Sequence, residues 1–455
     1  MNICTNVAFR FYNLAQGKKA ILFHIRTREY MFLEGLSAEL LEHILNDSDT
    51  QLEIWLKSSG LSQNDREDFI RILKKFGAFD SEIDSENKIE TADKNVFESD
   101  EANKYKMNAL QNELAENGLI YAFHFDVTNR CNERCIHCYH PFERYHVENE
   151  LTFNEAKSVI DCAYTLGAFS LTLSGGEALL RPDIFNLIAY ASSKGMLITL
   201  FTNGTLIDEE TVKKFLKYRI NKISVSIYGD SAEVHDRITS VDGSFAKTLL
   251  GIQLLQKNCI PYEVKSVMLG ENILRFQEIR AFLKELNHGN DGKMDLSITG
   301  KIDGDCSTYL HKVPNEEIKK IYYSDPIHFI GTLDQVHRQS SERPCGAGKY
   351  TLYCDAEGNI YPCVSFRLFL CTYKELMEIR SNSVLQQWLK IKLCDFSDCF
   401  QHDYCDYCNE QCAGNNLIEN GDYLNSDTSH CERARIIAAW FKEHADYNNI
   451  TKQRR

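Results

Sequence analysis

The sequence predicts an α/β protein: a partial (β/α)6 TIM-like barrel, preceded by a winged-helix-like domain and followed by a cysteine-rich domain. Three observations predict it. Between Tyr121 and Ile298, short apolar segments alternate with amphipathic helical ones, the pattern of parallel strands joined by helical crossovers. Ahead of that stretch, residues 1–85 read as three short strands and then three short helices. Beyond it, eleven of the seventeen cysteines follow residue 305, so the last third carries a metal question of its own.

At 455 residues, 43% of them apolar, the chain has material for two or three domains with a large core. A net charge of −14 argues against nucleic acid, which is held largely through phosphate contacts. Met1 to Ala20 lack a basic stretch followed by an apolar run, so no secretory signal is expected. No window reaches the ~18 continuous apolar residues of a spanning helix, so no membrane partner is expected either. These features predict a cytoplasmic protein. In that reducing compartment cysteines serve as metal ligands more readily than as disulfides.

In chain order, Val7–Leu14 and Ala20–His24 alternate and are joined at Gly17-Lys18, the signature of a hairpin; Tyr30–Leu33 adds a third strand. Ser37 is expected to cap a helix with Leu40, Leu41, Ile44 and Leu45 on one face. A second helix runs through Leu52, Ile54, Trp55 and Leu56. Asn64 with Glu67 reads as a capping box for a third, whose stripe is Phe69, Ile72, Leu73 and Phe76. Strands followed by three helices outline a winged helix, but no basic recognition helix is present. Residues 86–117 are polar and charged and read as a linker, helical near Met107–Leu114.

The barrel, residues 118–305, follows. Its strands are expected at Ala122–Thr128, Phe169–Leu173, Met196–Phe201, Lys222–Tyr228, Tyr262–Met268 and Met294–Ile298, with right-handed helical crossovers between them. Repetition without a Gly-rich dinucleotide fingerprint favours a curved barrel, whose ligands gather at the C-terminal ends of the strands. Four sequence features fall there. Cys131, Cys135 and Cys138 follow the first strand, Gly175-Gly176-Glu177 the second, and Thr202-Asn203-Gly204 the third; Ser226 lies at the end of the fourth. Singly, Gly-Gly and Asn-Gly are ordinary turns. The cysteine triplet is more specific. Gaps of three and two suit three irons of a 4Fe–4S cube with the fourth left open, while half of a zinc site is the competing reading.

Together, Cys131-x3-Cys135-x2-Cys138-Tyr139, Ser174-Gly175-Gly176-Glu177, Thr202-Asn203-Gly204 and Ser224-Val225-Ser226 resemble the radical S-adenosylmethionine superfamily over roughly residues 120–300. The resemblance implies that the open iron is chelated by the methionine moiety. It also implies that Gly175 and Gly176 let that moiety approach, and that Glu177 accepts its ammonium. Asn203 and Ser226 would hold the ribose, and His137 would pack near the adenine. In the family, the reduced cluster splits the sulfonium to a 5′-deoxyadenosyl radical, which must form in a dry, closed site. The first 85 residues resemble the precursor-peptide recognition element of ribosomal-peptide maturases, in which a leader peptide adds as a strand to the sheet edge and rests on the third helix.

Residues 306–455 resemble the SPASM extension, which holds two auxiliary 4Fe–4S clusters. Cys345 to Cys363 fits the family spacing C-x(9–15)-G-x4-C. The later run departs from it: the gaps from Cys399 are five, two and three, and His402 stands where a cysteine would fall. Carried over, Cys345, Cys363 and Cys412 would hold the first auxiliary cluster, and Cys399, Cys405, Cys408 and Cys431 the second. Cys354 lies in an alternating strand where a buried apolar residue is the default, so the first cluster is expected to keep an open iron. Zinc ribbons are the rival reading.

The resemblance therefore implies a radical enzyme that modifies a ribosomally made peptide, with S-adenosyl-L-methionine and three 4Fe–4S clusters as cofactors. Its expected partners are the precursor peptide, held by its leader at the N-terminal domain, and a flavodoxin- or ferredoxin-like one-electron reductant. An open auxiliary iron suits a substrate thiolate, which favours a thioether between a Cys sulfur and a carbon. A C–C or C–O crosslink comes next, then oxidation of Cys or Ser to formylglycine as in sulfatase maturases. No catalytic acid or base is assigned; Asp230, Asp236 and Asp303 read as loop carboxylates.

Overall fold

The structure, a computed structural model, describes residues 3–4, 6–79, 100–140, 149–218, 220–301, 303–330, 339–397, 399, 402–408, 412–426 and 428–444. β1 (Val7–Leu14), β2 (Gly17–His24) and β3 (Glu29–Glu34) form an antiparallel sheet in that order. Leu14 pairs with Gly17, so the turn is Ala15-Gln16 and Gly17 opens the second strand. Three helices follow: α1 (Leu36–Asn46), α2 (Asp49–Ser59) and α3 (Gln63–Lys75).

Two of the expected caps shift. α1 starts behind Gly35, and the Ser37 hydroxyl turns back to donate to the Glu34 carbonyl at 2.9 Å. In α3 the box is Ser62 with Asp65, two residues before Asn64–Glu67: the Asp65 carboxylate accepts the Ser62 N–H at 2.7 Å. That reciprocal pair satisfies two otherwise orphaned N–H groups, so it sets the start.

Both faces of this sheet are covered. Leu22 and Leu33 pack with Leu41, Ile44, Leu56 and Leu73 of the helices. Tyr12, Ile21 and Phe23 on the other face meet Leu110 and Leu114. Those two leucines belong to α4 (Asp100–Glu116), which is longer than the stretch expected at Met107–Leu114 because it has this face to bury. The first part of the expected linker, residues 86–99, lies outside the described residues.

The barrel elements are β4 (Ala122–Thr128), α5 (Phe153–Thr165), β5 (Ser170–Gly175), α6 (Ile184–Ser193), β6 (Leu197–Thr202), α7 (Glu209–Lys217) and β7 (Lys222–Ser226). They continue with α8 (Ala232–Thr239), α9 (Ser244–Lys257), β8 (Tyr262–Val267), α10 (Phe276–Leu286) and β9 (Lys293–Asp295). Each of these strands is parallel to the next. β10 (Thr351–Cys354) joins β4 in parallel, and β11 (Asn359–Tyr361) and β12 (Cys371–Thr372) add antiparallel. The order is β12-β11-β10-β4-β5-β6-β7-β8-β9, a half-open barrel. One sheet thus runs across the boundary expected at residue 305.

The N-terminal sheet docks where the barrel strands begin. The Phe9 N–H donates to Gly195 at 3.1 Å, the Tyr12 hydroxyl to Gly167 at 3.1 Å and the Arg28 guanidinium to Asn221 at 3.0 Å. Those three carbonyls precede β6, β5 and β7. The opposite end of the barrel carries the cysteine loop. Among the described residues, no helix is long and apolar enough to cross a membrane.

Candidate active site

β4 ends at Thr128, and Asn129 and Arg130 lead directly into Cys131. The end of β5 lies against this segment: the Gly176 N–H donates to Thr128 at 2.9 Å and the Glu177 N–H to Arg130 at 2.7 Å. Gly175 has a φ of +132°, and a Cβ there would stand 2.1 Å from the Thr128 oxygen; one on Gly176 would stand 2.4 Å from the Arg130 oxygen. The two glycines are therefore required by the chain's own backbone, which fills the space beside them and pins the start of the cysteine loop.

Glu177 is fully buried. Its carboxylate accepts the Leu179 N–H at 3.0 Å, the Thr202 hydroxyl at 2.8 Å and the Asn203 N–H at 2.7 Å. Burial raises its pKa against these hydrogen bonds, which favour the charged form. Asn203 is engaged as well. Its amide donates to Asn132 inside the cysteine loop at 2.9 Å and accepts from the Thr205 N–H at 3.0 Å. Glu177 and Asn203 thus lace β5, β6 and the loop into one rim. Ser226 ends β7, half-buried beside the Tyr228 hydroxyl. The His137 ring stands edge-on to Tyr228 at 4.7 Å, and its Nδ1 is buried with no hydrogen-bond partner among the described residues. Burial lowers the His137 pKa to about 4, so the ring is neutral at pH 7.

The triplet thiols face one another. Burial raises Cys131 to about 12 and Cys138 to about 11; Cys131 also feels the charge of Cys138, and Cys135 those of Cys138 and Cys131. Thiols held this way ionise when a cationic centre binds between them, which fits an iron–sulfur cluster. The unpartnered His137 Nδ1 beside them fits a second bound group.

Farther along, Cys345, Cys363 and Cys412 are neighbours: Cys363 is raised to about 12 by burial and by the charges of Cys412 and Cys345. Cys399 lies 3.4 Å from the Ser426 hydroxyl. Cys405 opens a single turn, against which the helix Thr428–Glu443, bearing Cys431, packs; Cys408 follows that turn. His402 stacks on Tyr404 at 5.0 Å. Cys354 is fully buried in the core on β10. Among the described residues, no group of three or more His, Cys, Asp or Glu side chains is spaced to chelate a single ion.

Asp230 pairs with Arg275, and Asp236 caps the loop into α9 through the Gly243 and Phe245 N–H groups at 2.7 and 2.8 Å. Both carboxylates tie down loops, but Asp236, expected on a loop, lies on α8.

Sequence reasoning missed a polar cluster inside the barrel. Asp126, fully buried on β4, accepts from the Tyr353 hydroxyl at 2.6 Å and pairs with His124 at 3.1 Å and His140 at 3.4 Å. These partners hold its carboxyl well below the usual range against the cost of burial. Arg367 lies over the Tyr353 ring at 4.1 Å. On the facing wall, Lys265 lies 3.8 Å over Phe201 and 3.5 Å from Glu263. The signal was present in β4: His124 and Asp126 alternate with Phe123, Phe125 and Val127, although a strand covered on both faces is normally apolar throughout.

A half-open parallel barrel carries three cysteines on the loop after its first strand. Residues 125–286 match the family described as the Radical SAM superfamily. The chain is 36% identical over 199 residues to an AdoMet-dependent heme synthase of Methanosarcina barkeri, a match covering 44% of this chain and 56% of that protein. It thus spans about half the length of that relative. It is 25% identical over 333 residues to the antilisterial bacteriocin subtilosin biosynthesis protein AlbA of Bacillus subtilis, covering 70% of each. Its fold is similar to that of Streptococcus suis SuiB bound to precursor peptide SuiA, with a TM-score of 0.62, 16% identity, and coverage of 94% of this chain and 99% of that one.

Proposed function

We propose that the protein is a radical S-adenosylmethionine enzyme that modifies a ribosomally made peptide, forming a thioether between a Cys sulfur and a carbon. The observation that carries this reading is reach. Similarity to the subtilosin biosynthesis protein extends over 70% of the chain, well beyond the barrel. The second reading, a role in heme synthesis, is favoured by the higher identity to the heme synthase, but that match covers 44% of the chain.

In this account Cys131, Cys135 and Cys138 would hold a 4Fe–4S cluster, and His137, Asn203 and Ser226 would hold S-adenosyl-L-methionine. When bound, the pair supplies a one-electron reductive cleavage yielding a radical that takes hydrogen from carbon. The chain's own residues set the stage. Gly175, Gly176 and Glu177 fix the cysteine loop to the rim, and neutral His137 offers a ring face without a competing charge. Phe201, Tyr353 and Tyr361 line the interior and limit water at the reacting end. Cys345, Cys363 and Cys412 hold a first auxiliary cluster, with Cys354 left in the core; Cys399, Cys405, Cys408 and Cys431 hold a second.

The leader peptide adds along β3. The outer edge of β1 is engaged by Gly195, while among the described residues no strand pairs with the outer edge of β3. A flavodoxin- or ferredoxin-like protein supplies the electron. Co-expression with a Cys-containing peptide encoded beside this gene tests the reading. Loss of two hydrogens per crosslink, dependent on the triplet cysteines, is expected; an unmodified peptide with turnover on a heme precursor overturns it.

A further inference from the structure

Arg367 follows Cys363 by four residues and reaches into the barrel. Its guanidinium lies 4.1 Å over the ring of Tyr353, 5.3 Å over Tyr361 and 5.8 Å over Tyr139, the residue directly after Cys138. It thus links the segment after Cys363 to the residue that follows Cys138. Its Nε and Nη2 are buried and have no hydrogen-bond partner among the described residues. The carboxylate nearby does not use them: Asp126 already takes the Tyr353 hydroxyl at 2.6 Å, His124 at 3.1 Å and His140 at 3.4 Å. Buried donors left unpaired are costly, and native proteins rarely keep them without a purpose. Nε and Nη2 are also the adjacent donors of the guanidinium fork, the pair that a carboxylate takes through two parallel hydrogen bonds.

We propose that Arg367 is a substrate-binding residue that grips a carboxylate of the substrate through Nε and Nη2, against the rings of Tyr139, Tyr353 and Tyr361. That the occupant is the substrate rests on the function proposed above; the anion site itself rests on the geometry alone. The carboxylate belongs to an acidic side chain or to a chain's C-terminus, and the two sources can be told apart.

The probes are N-acetylglutamate α-amide, N-acetylalanine and, as the neutral control, N-acetylglutamine α-amide, added to the reconstituted full-length protein and followed by saturation-transfer NMR. At least one acid is expected to bind and the neutral amide is not. Affinity for that acid falls about tenfold in Arg367→Gln and by less in Arg367→Lys, whose ammonium keeps the charge but not the fork. Binding of the glutamate derivative alone assigns an acidic side chain, and of N-acetylalanine alone a terminal carboxylate. Melting temperatures check that both variants fold, and Arg367→Lys carries the test if the glutamine variant does not. Equal binding of acids and amide, or variants that bind as the wild type does, overturns the proposal. Acid binding through Arg367 in an enzyme that modifies no peptide leaves the anion site standing and removes the peptide function.

Discussion

A Cβ on Gly414 would stand 2.0 Å from the carbonyl oxygen of Ser365, so the helix after Cys412 and the segment after Cys363 meet backbone to backbone. Only glycine permits that approach, and it brings the two cysteines together. Gly414→Ala is expected to push the segments apart at a cost of about 1–3 kcal/mol. With the three cubes proposed above, iron per chain falls from about twelve by about four while the rim cluster stays loaded. Iron and sulfide quantification after anaerobic reconstitution reads this directly; unchanged iron would dissociate Cys363 and Cys412 from a shared cluster.

Glu177→Gln replaces an acceptor of three hydrogen bonds with a group that must turn an NH2 toward one of its donors. A buried donor left without an acceptor costs about 1–3 kcal/mol. The expected result is a lower urea midpoint with an unchanged m-value and weaker retention of the rim cluster. Thr202→Val removes one donor to the carboxylate and also leaves the Gly204 N–H, which donates to the Thr202 hydroxyl at 3.0 Å, without an acceptor, so it too costs about 1–3 kcal/mol.

His235 makes a pH prediction. It is buried, its Nδ1 accepts the Tyr228 N–H at 3.1 Å, and burial lowers its pKa to about 4. The unfolded chain takes up this proton near pH 6.5 and the folded chain does not until about pH 4. Between those values the unfolded state binds more protons, so this contribution to stability is full above pH 6.5 and is lost as the pH falls toward 4, by about 3 kcal/mol. His235→Asn keeps an acceptor for Tyr228 without the titration. Melting temperatures of the metal-free proteins from pH 7 to 4.5 should fall more steeply for the wild type; parallel curves would contradict this origin.

The strands of the barrel were legible because parallel strands between crossovers are continuous apolar runs. Phe123, Leu171, Ile198, Ile223 and Val264 are all fully or almost fully buried. The rim motifs were legible because β4, β5, β6 and β7 end at them. What the glycines touch was not. Gly175 and Gly176 press on Thr128 and Arg130, residues some 45 positions earlier, and such contacts arise only when β4 pairs with β5. α8 went unassigned because its eight residues hold few large apolar side chains, although Val234 and Ile238 bury one face. The Asp126–Tyr353 bond joins residues 227 positions apart through the pairing of β10 with β4, and local pattern says nothing about that pairing.

The central claim is that three rim thiolates hold a cluster able to cleave S-adenosylmethionine. The direct measurement is 5′-deoxyadenosine, by chromatography, after anaerobic reconstitution with iron and sulfide, reduction with dithionite and addition of S-adenosylmethionine. The account predicts its formation by the wild-type protein and its loss in Cys131→Ala, Cys135→Ala and Cys138→Ala. No product from the wild type, or equal product from these variants, would contradict it.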